Sequence, residues 1–194
     1  MRRRDRLDAG AAGFGGPGVG AAGFGGPAAR VEMRVCRARP GFHHPADGAE
    51  IMRMLASFGP PVVYGLRRIE LRQRTAADPA GLAVAALEEP GVVVLFEQPR
   101  PPWAIVGRLD AEAERRLRRA GAVVHATMAL TRVDWPGRTL TDFLLFDGLM
   151  HEVGHHIVQH RAGRTGVRAM RTADHERRAD AFATACRLAW TAAA

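Results

Sequence analysis

His151-Glu152-Val153-Gly154-His155 sets two histidines four residues apart, with a glutamate directly after the first. On a helix, residues four apart share a face and lie one turn from each other. Both imidazoles can then reach one zinc ion at about 2.0–2.1 Å. Glu152 is rotated by about 100° from His151, so its carboxylate falls beside the metal and can take a proton from the attacking water. A catalytic zinc takes three protein ligands and keeps one position open. The third is expected from His175-Glu176-Arg177-Arg178-Ala179-Asp180, where two carboxylates lie four apart beside the apolar Ala179 and Ala183. A carboxylate on such a face is costly unless it is paired or binds metal. Glu176 answers that demand as a ligand. Asp180, one turn later, is placed to accept the free ring N–H of a ligand histidine and fix its tautomer.

His-Glu-Val-Gly-His followed by Glu-Arg-Arg-Ala-Asp-Ala-Phe-Ala resembles the gluzincin metallopeptidases, which pair His-Glu-x-x-His with a downstream Glu-x-x-x-Asp. The second segment is most similar to small intracellular members of the ImmA/IrrE type. The resemblance spans about Thr141–Trp190. It implies a zincin-like α+β domain with a small mixed sheet, a long metal-binding helix and a C-terminal helix supplying the third ligand. It also implies zinc on His151, His155 and Glu176, and Glu152 as general base in the hydrolysis of a peptide or protein substrate. One departure stands out. Gluzincins offer a Tyr or His to the oxyanion, and here Tyr64, His125, His160, His175 or an arginine of Arg161–Arg171 all remain open. A catalytically inactive zinc-binding module, regulatory or protein-binding, is therefore the second expectation.

These residues need elements to hold them. Thr141 reads as the N-cap of a long helix whose Phe143, Phe146, Met150, Val153 and Ile157 form an apolar stripe ending at His160. His156 and His160 repeat the four-residue spacing on a neighbouring face, read as a solvated edge or a contact to the following loop. Asp147 lies one turn before His151, as second shell or exposed. A final helix covers about Asp174–Trp190. Upstream, helices are expected over Ala46–Phe58, over Pro79–Glu89 and from an Asp110 cap to about Ala120, closed by Gly121. Strands are expected within Val62–Arg72, over Val92–Phe96 and within Ala122–Val133, the last as a rim of the cleft. The run Arg115-Arg116-Leu117-Arg118-Arg119 reads as a solvated helix face.

At 194 residues the chain has room for one domain, expected over residues 31–194. Residues 1–30 contain Gly-Ala-Ala-Gly-Phe-Gly-Gly-Pro twice, ten residues apart, and are expected to be a disordered glycine-rich tail. The net charge of +8 invites a nucleic-acid partner, but all 28 basic residues are arginine, and lysine and asparagine are absent. That composition points to a GC-rich coding sequence and weakens the electrostatic argument. No apolar run approaches a membrane span, and two distant cysteines cannot form a disulfide framework, so the expected location is the cytoplasm. Oligomeric state, substrate identity and regulation leave no mark in the sequence.

Overall fold

The computed structural model describes residues 31–78, 82–89, 91–164 and 172–192. The repeat-bearing segment 1–30 lies outside them. Along the chain run β1 (Glu32–Val35), β2 (Phe42–His43), α1 (Gly48–Phe58), α2 (Pro60–Val63), β3 (Arg68–Arg72), β4 (Ala85–Glu89) and β5 (Val92–Phe96). They are followed by β6 (Gln98–Pro99), β7 (Trp103–Val106), α3 (Ala111–Arg119), β8 (Val123–Ala126) and β9 (Leu130–Asp134). Then come α4 (Thr139–Asp142), a π-helical segment (Phe143–Met150), α5 (His151–Arg164) and α6 (Ala173–Ala192). The architecture is mixed α+β, with small sheets and a C-terminal helix. No helix among the described residues is long and apolar enough to cross a membrane.

The main sheet has the order β1-β3-β5-β4, parallel except for β4, which pairs antiparallel with β5 and forms an edge. β5 is buried along its whole length. A strand buried on both faces reads as a continuous apolar run, as Val92–Phe96 does. On one face Val93 and Leu95 join Ile69 and Leu71, the Ile51, Met54 and Leu55 stripe of α1, and the π-helical segment in one core. On the other, Val92, Val94 and Phe96 form a separate cluster, with the guanidinium groups of Arg72 and Arg74 over the Phe96 ring. The three-stranded sheet β7-β9-β8 joins the core through Trp103, Trp135 and Phe143, whose rings lie 5.0 and 5.1 Å apart in sequence.

Local rules explain the helices that match expectation. Asp47 caps α1 by accepting from Glu50 N, and Asp110 caps α3 by accepting from Ala113 N. Three expectations are corrected. The helix expected over Pro79–Glu89 is replaced in its described part, residues 82–89, by β4, because pairing with β5 outweighs weak local propensity. Val62–Arg72 is split, since Pro60 starts a short helix and the strand begins only at Arg68. Thr141 caps nothing; the helix begins at Thr139 and the Thr141 hydroxyl donates to Pro45 O at 2.8 Å.

Candidate metal centre

The helix that carries His151 is wound two ways. Between Phe143 and Met150 it is π-helical, and the His151 N–H donates to Phe146 O, five residues back. Every residue of that segment except Asp147 is buried, so the expected stripe is instead a helix buried nearly all round. It packs against β4 and β5, and so carries His151 to the open edge of the sheet. α5 continues the axis as ordinary α-helix and is crossed by α6. At the crossing a Cβ on Gly154 would lie 2.9 Å from Ala179 Cα, so the two backbones meet where only glycine fits. That approach brings Glu176 over the histidine pair.

The distances follow from it. His151 Nε2 and His155 Nε2 are 3.0 Å apart, and Glu176 Oε2 lies 3.4 Å from the first and 3.2 Å from the second. Four-coordinate zinc with bonds of about 2.0–2.1 Å requires ligand atoms about 3.3–3.4 Å apart. The triangle fits such an ion closely, and its two-imidazole, one-carboxylate donor set suits zinc. Asp180 Oδ1 accepts from His151 Nδ1 at 2.9 Å, which leaves Nε2 with its lone pair towards the triangle. His155 is fully buried, while the Glu176 side chain is 45% exposed, so one side of the triangle stays open to solvent.

Glu152 is buried, and its Oε2 accepts the Leu87 amide at 2.9 Å. The strand explains the bond. Val84 O accepts from Phe96 N, so alternation along β4 turns the polar groups of Ala85 and Leu87 away from β5. Leu87 spends its outward N–H on Glu152. Ala83–Ala85 line a cleft of about 490 Å³ that also contains His151, Glu152, Glu176 and Asp180. No described residue of 122–133 lines it, so the expected rim strand is replaced by β4.

Farther along, the cleft is lined by Glu112, Arg116 and Arg119 from α3, by Asp147, and by Thr184 and Arg187 from α6. Arg187 forms an ion pair with Asp147 and its guanidinium lies over the Phe146 ring. Burial pushes the Asp147 carboxyl above the usual carboxylate range, against the opposing pull of Arg187 and Arg116. Spacing alone drew attention to Asp147; the run Arg115–Arg119, read as a solvated face, instead turns Arg116 and Arg119 to the cleft, and nothing in the sequence singled out Arg187 or the β4 edge.

None of the four single residues left open for the oxyanion lines the cleft. Tyr64 packs edge-on against His160 at 5.1 Å, and His125 stands on β8. His175 is buried with its ring 4.9 Å from that of His155, and neither of its ring nitrogens has a hydrogen-bond partner among the described residues. Residues 165–171 of the remaining alternative lie outside the described residues. His156 is not on a solvated edge: it is buried, its Nε2 donates to Tyr64 O at 3.1 Å, and burial lowers its pKa. No protein-family model, curated protein or solved structure matches this chain.

Proposed function

We propose that this chain is a zinc-dependent metallopeptidase with a zincin-like arrangement of sheet edge, metal-binding helix and ligand-bearing second helix. The observation that carries the proposal is the convergence of His151 Nε2, His155 Nε2 and Glu176 Oε2 beside Glu152, on the wall of an open cleft. When bound, zinc supplies Lewis-acid polarisation of a carbonyl and a lowered pKa for water. His151, His155 and Glu176 hold it, and Asp180 fixes the His151 tautomer. Glu152, oriented by the Leu87 amide, takes a proton from the attacking water at a carboxylate oxygen and returns it to the departing amine. The outward N–H and C=O of Ala85 offer an extended peptide one strand-like pairing along β4. Two free cysteines suit a reducing compartment, and a cytoplasmic location belongs to this reading.

The second reading keeps the zinc and loses turnover, as a regulatory or protein-binding module. It draws on one observation: no Tyr or non-ligand His lines the cleft among the described residues. Metal analysis and peptide hydrolysis separate the two. Untagged protein should hold about one zinc per chain, and Glu176→Ala should hold far less. The native protein should cleave a mixed peptide library, while Glu152→Gln keeps its zinc and loses about 10²–10⁴ in rate. Zinc without cleavage would establish the second reading. No zinc in the native protein, even after titration, would end both.

A further inference from the structure

Charges in the cleft are unevenly matched away from the metal ligands. Arg187 is engaged by Asp147. Glu112 is shared between Arg115 at 2.7 Å and Arg119 at 3.5 Å. Arg116 has no carboxylate within 4.0 Å among the described residues; its hydrogen bond goes to the neutral Asp147 carbonyl at 3.1 Å. Its guanidinium also lies 5.0 Å from the centroid of the Phe143 ring. The group is thus held at two points, has no carboxylate in direct contact and lines the cleft, while the nearby Asp147 carboxyl is engaged by Arg187. An arginine fixed in this way has little rotamer freedom left to lose when it meets an anion, and its planar fork matches a carboxylate. At the metal end the carboxylates of Glu152, Glu176 and Asp180 face the proposed zinc, whose charge offsets theirs. Away from the metal end, Arg116 is the cleft's cation with no carboxylate in contact among the described residues, and so the group best placed to receive one from a substrate.

We infer that Arg116, with Arg119 beside it, is a subsite for a substrate carboxylate, so that the cleft selects acidic peptides. The inference rests on the peptidase reading for its substrate class. The carboxylate has two sources, an acidic side chain or a free C-terminus, and the test separates them.

Fluorescent short peptides are titrated by anisotropy into zinc-loaded Glu152→Gln protein. One series moves a single Glu through the sequence with an amidated C-terminus. A second replaces that Glu by Gln, and a third is the Gln peptide with a free C-terminus. At least one Glu peptide, or the free-acid peptide, should bind about tenfold tighter than its neutral partner, equivalent to about 1.4 kcal/mol. The series that gains identifies the source. Adding Arg116→Gln, which removes the guanidinium and keeps a polar side chain, should remove the gap while binding of the neutral peptide stays unchanged. Arg119→Gln, on the exposed side of α3, should narrow the gap without touching the core, which covers the case of an unstable Arg116 variant. Equal binding of charged and neutral peptides, no binding of any, or a gap that survives both variants overturns the subsite. A gap that obeys the variants supports it, even if the native protein cleaves none of the peptides, and that combination would overturn the peptidase reading alone.

Discussion

In the proposed zinc site Asp180 would act through one ring proton. By accepting from His151 Nδ1 it selects the tautomer whose Nε2 is free to bind, and it stops the ring from turning. Replacing such a partner typically lowers metal affinity about 10–100-fold. The Asp180 side chain is 71% exposed, so solvent screens the pair and Asp180→Ala should fall near the lower bound. Competition with a chromophoric chelator reads this directly, and an unchanged zinc affinity would reduce the contact to a surface pairing. The same helix gives a second residue-level expectation. Burial pushes the Cys186 thiol up to about 11, whereas Cys36 is exposed. At pH 8 only about a thousandth of Cys186 is thiolate, so iodoacetamide should label Cys36 first, as mass spectrometry of the peptides would show. Equal labelling of both would mean that α6 opens easily. At this scale the histidine pair was legible because helical period decides which side chains share a face, while Glu176, on the next helix, was drawn from a carboxylate beside an apolar face and from the resemblance. Leu87 and Arg116 were not, since they reach the site across 65 and 31 residues of sequence, and no local pattern encodes such contacts.

Helix-to-helix distance decides whether the triad exists at all. His151 and His155 belong to α5 and Glu176 to α6, and the two axes approach at Gly154 and Ala179. Gly154→Ala places a methyl 2.9 Å from Ala179 Cα and 3.2 Å from Ala179 O. Neither is a flexible side-chain end that can swing aside, so α6 itself must shift. Overpacking of this kind costs about 1–3 kcal/mol, which denaturant unfolding would register. Because Glu176 moves with α6, zinc affinity should fall in the same variant. A destabilised Gly154→Ala protein with native zinc affinity would show that the ligand triangle does not depend on this crossing. Elements were readable wherever caps and periodicity are local, as in α3 with its Asp110 cap and in α6. β4 was not, because its Ala-rich sequence prefers helix until β5 offers an unpaired edge. Nor was the π-helical segment: apolar spacing of three and four residues cannot separate a buried π-helix from one face of an α-helix.

Across the whole molecule, the metal would join the sheet-packed helix to a helix that otherwise covers it from outside. α5 is continuous with the π-helical segment packed on β4 and β5, while α6 follows residues 165–171 and carries the third ligand. Zinc bound by both helices holds native geometry that the unfolded chain lacks, so binding free energy becomes folding free energy. At free zinc a hundredfold above Kd the gain is about 2.7 kcal/mol, which raises Tm by roughly 5–10 °C for a chain of this size. The effect has a fixed sign with pH. Imidazole ligands must be deprotonated and the carboxylate ionised, so protons compete with zinc and the stabilisation shrinks as pH falls. Calorimetric scans with zinc and with chelator should diverge at neutral pH and converge in acid. Glu176→Ala should bring the two neutral scans together without lowering the chelator curve much, because its carboxylate is half-exposed and packs into no core. A native protein whose Tm ignores zinc at neutral pH would mean that the three donors close without gripping an ion, and the catalytic argument would lose the element on which it rests.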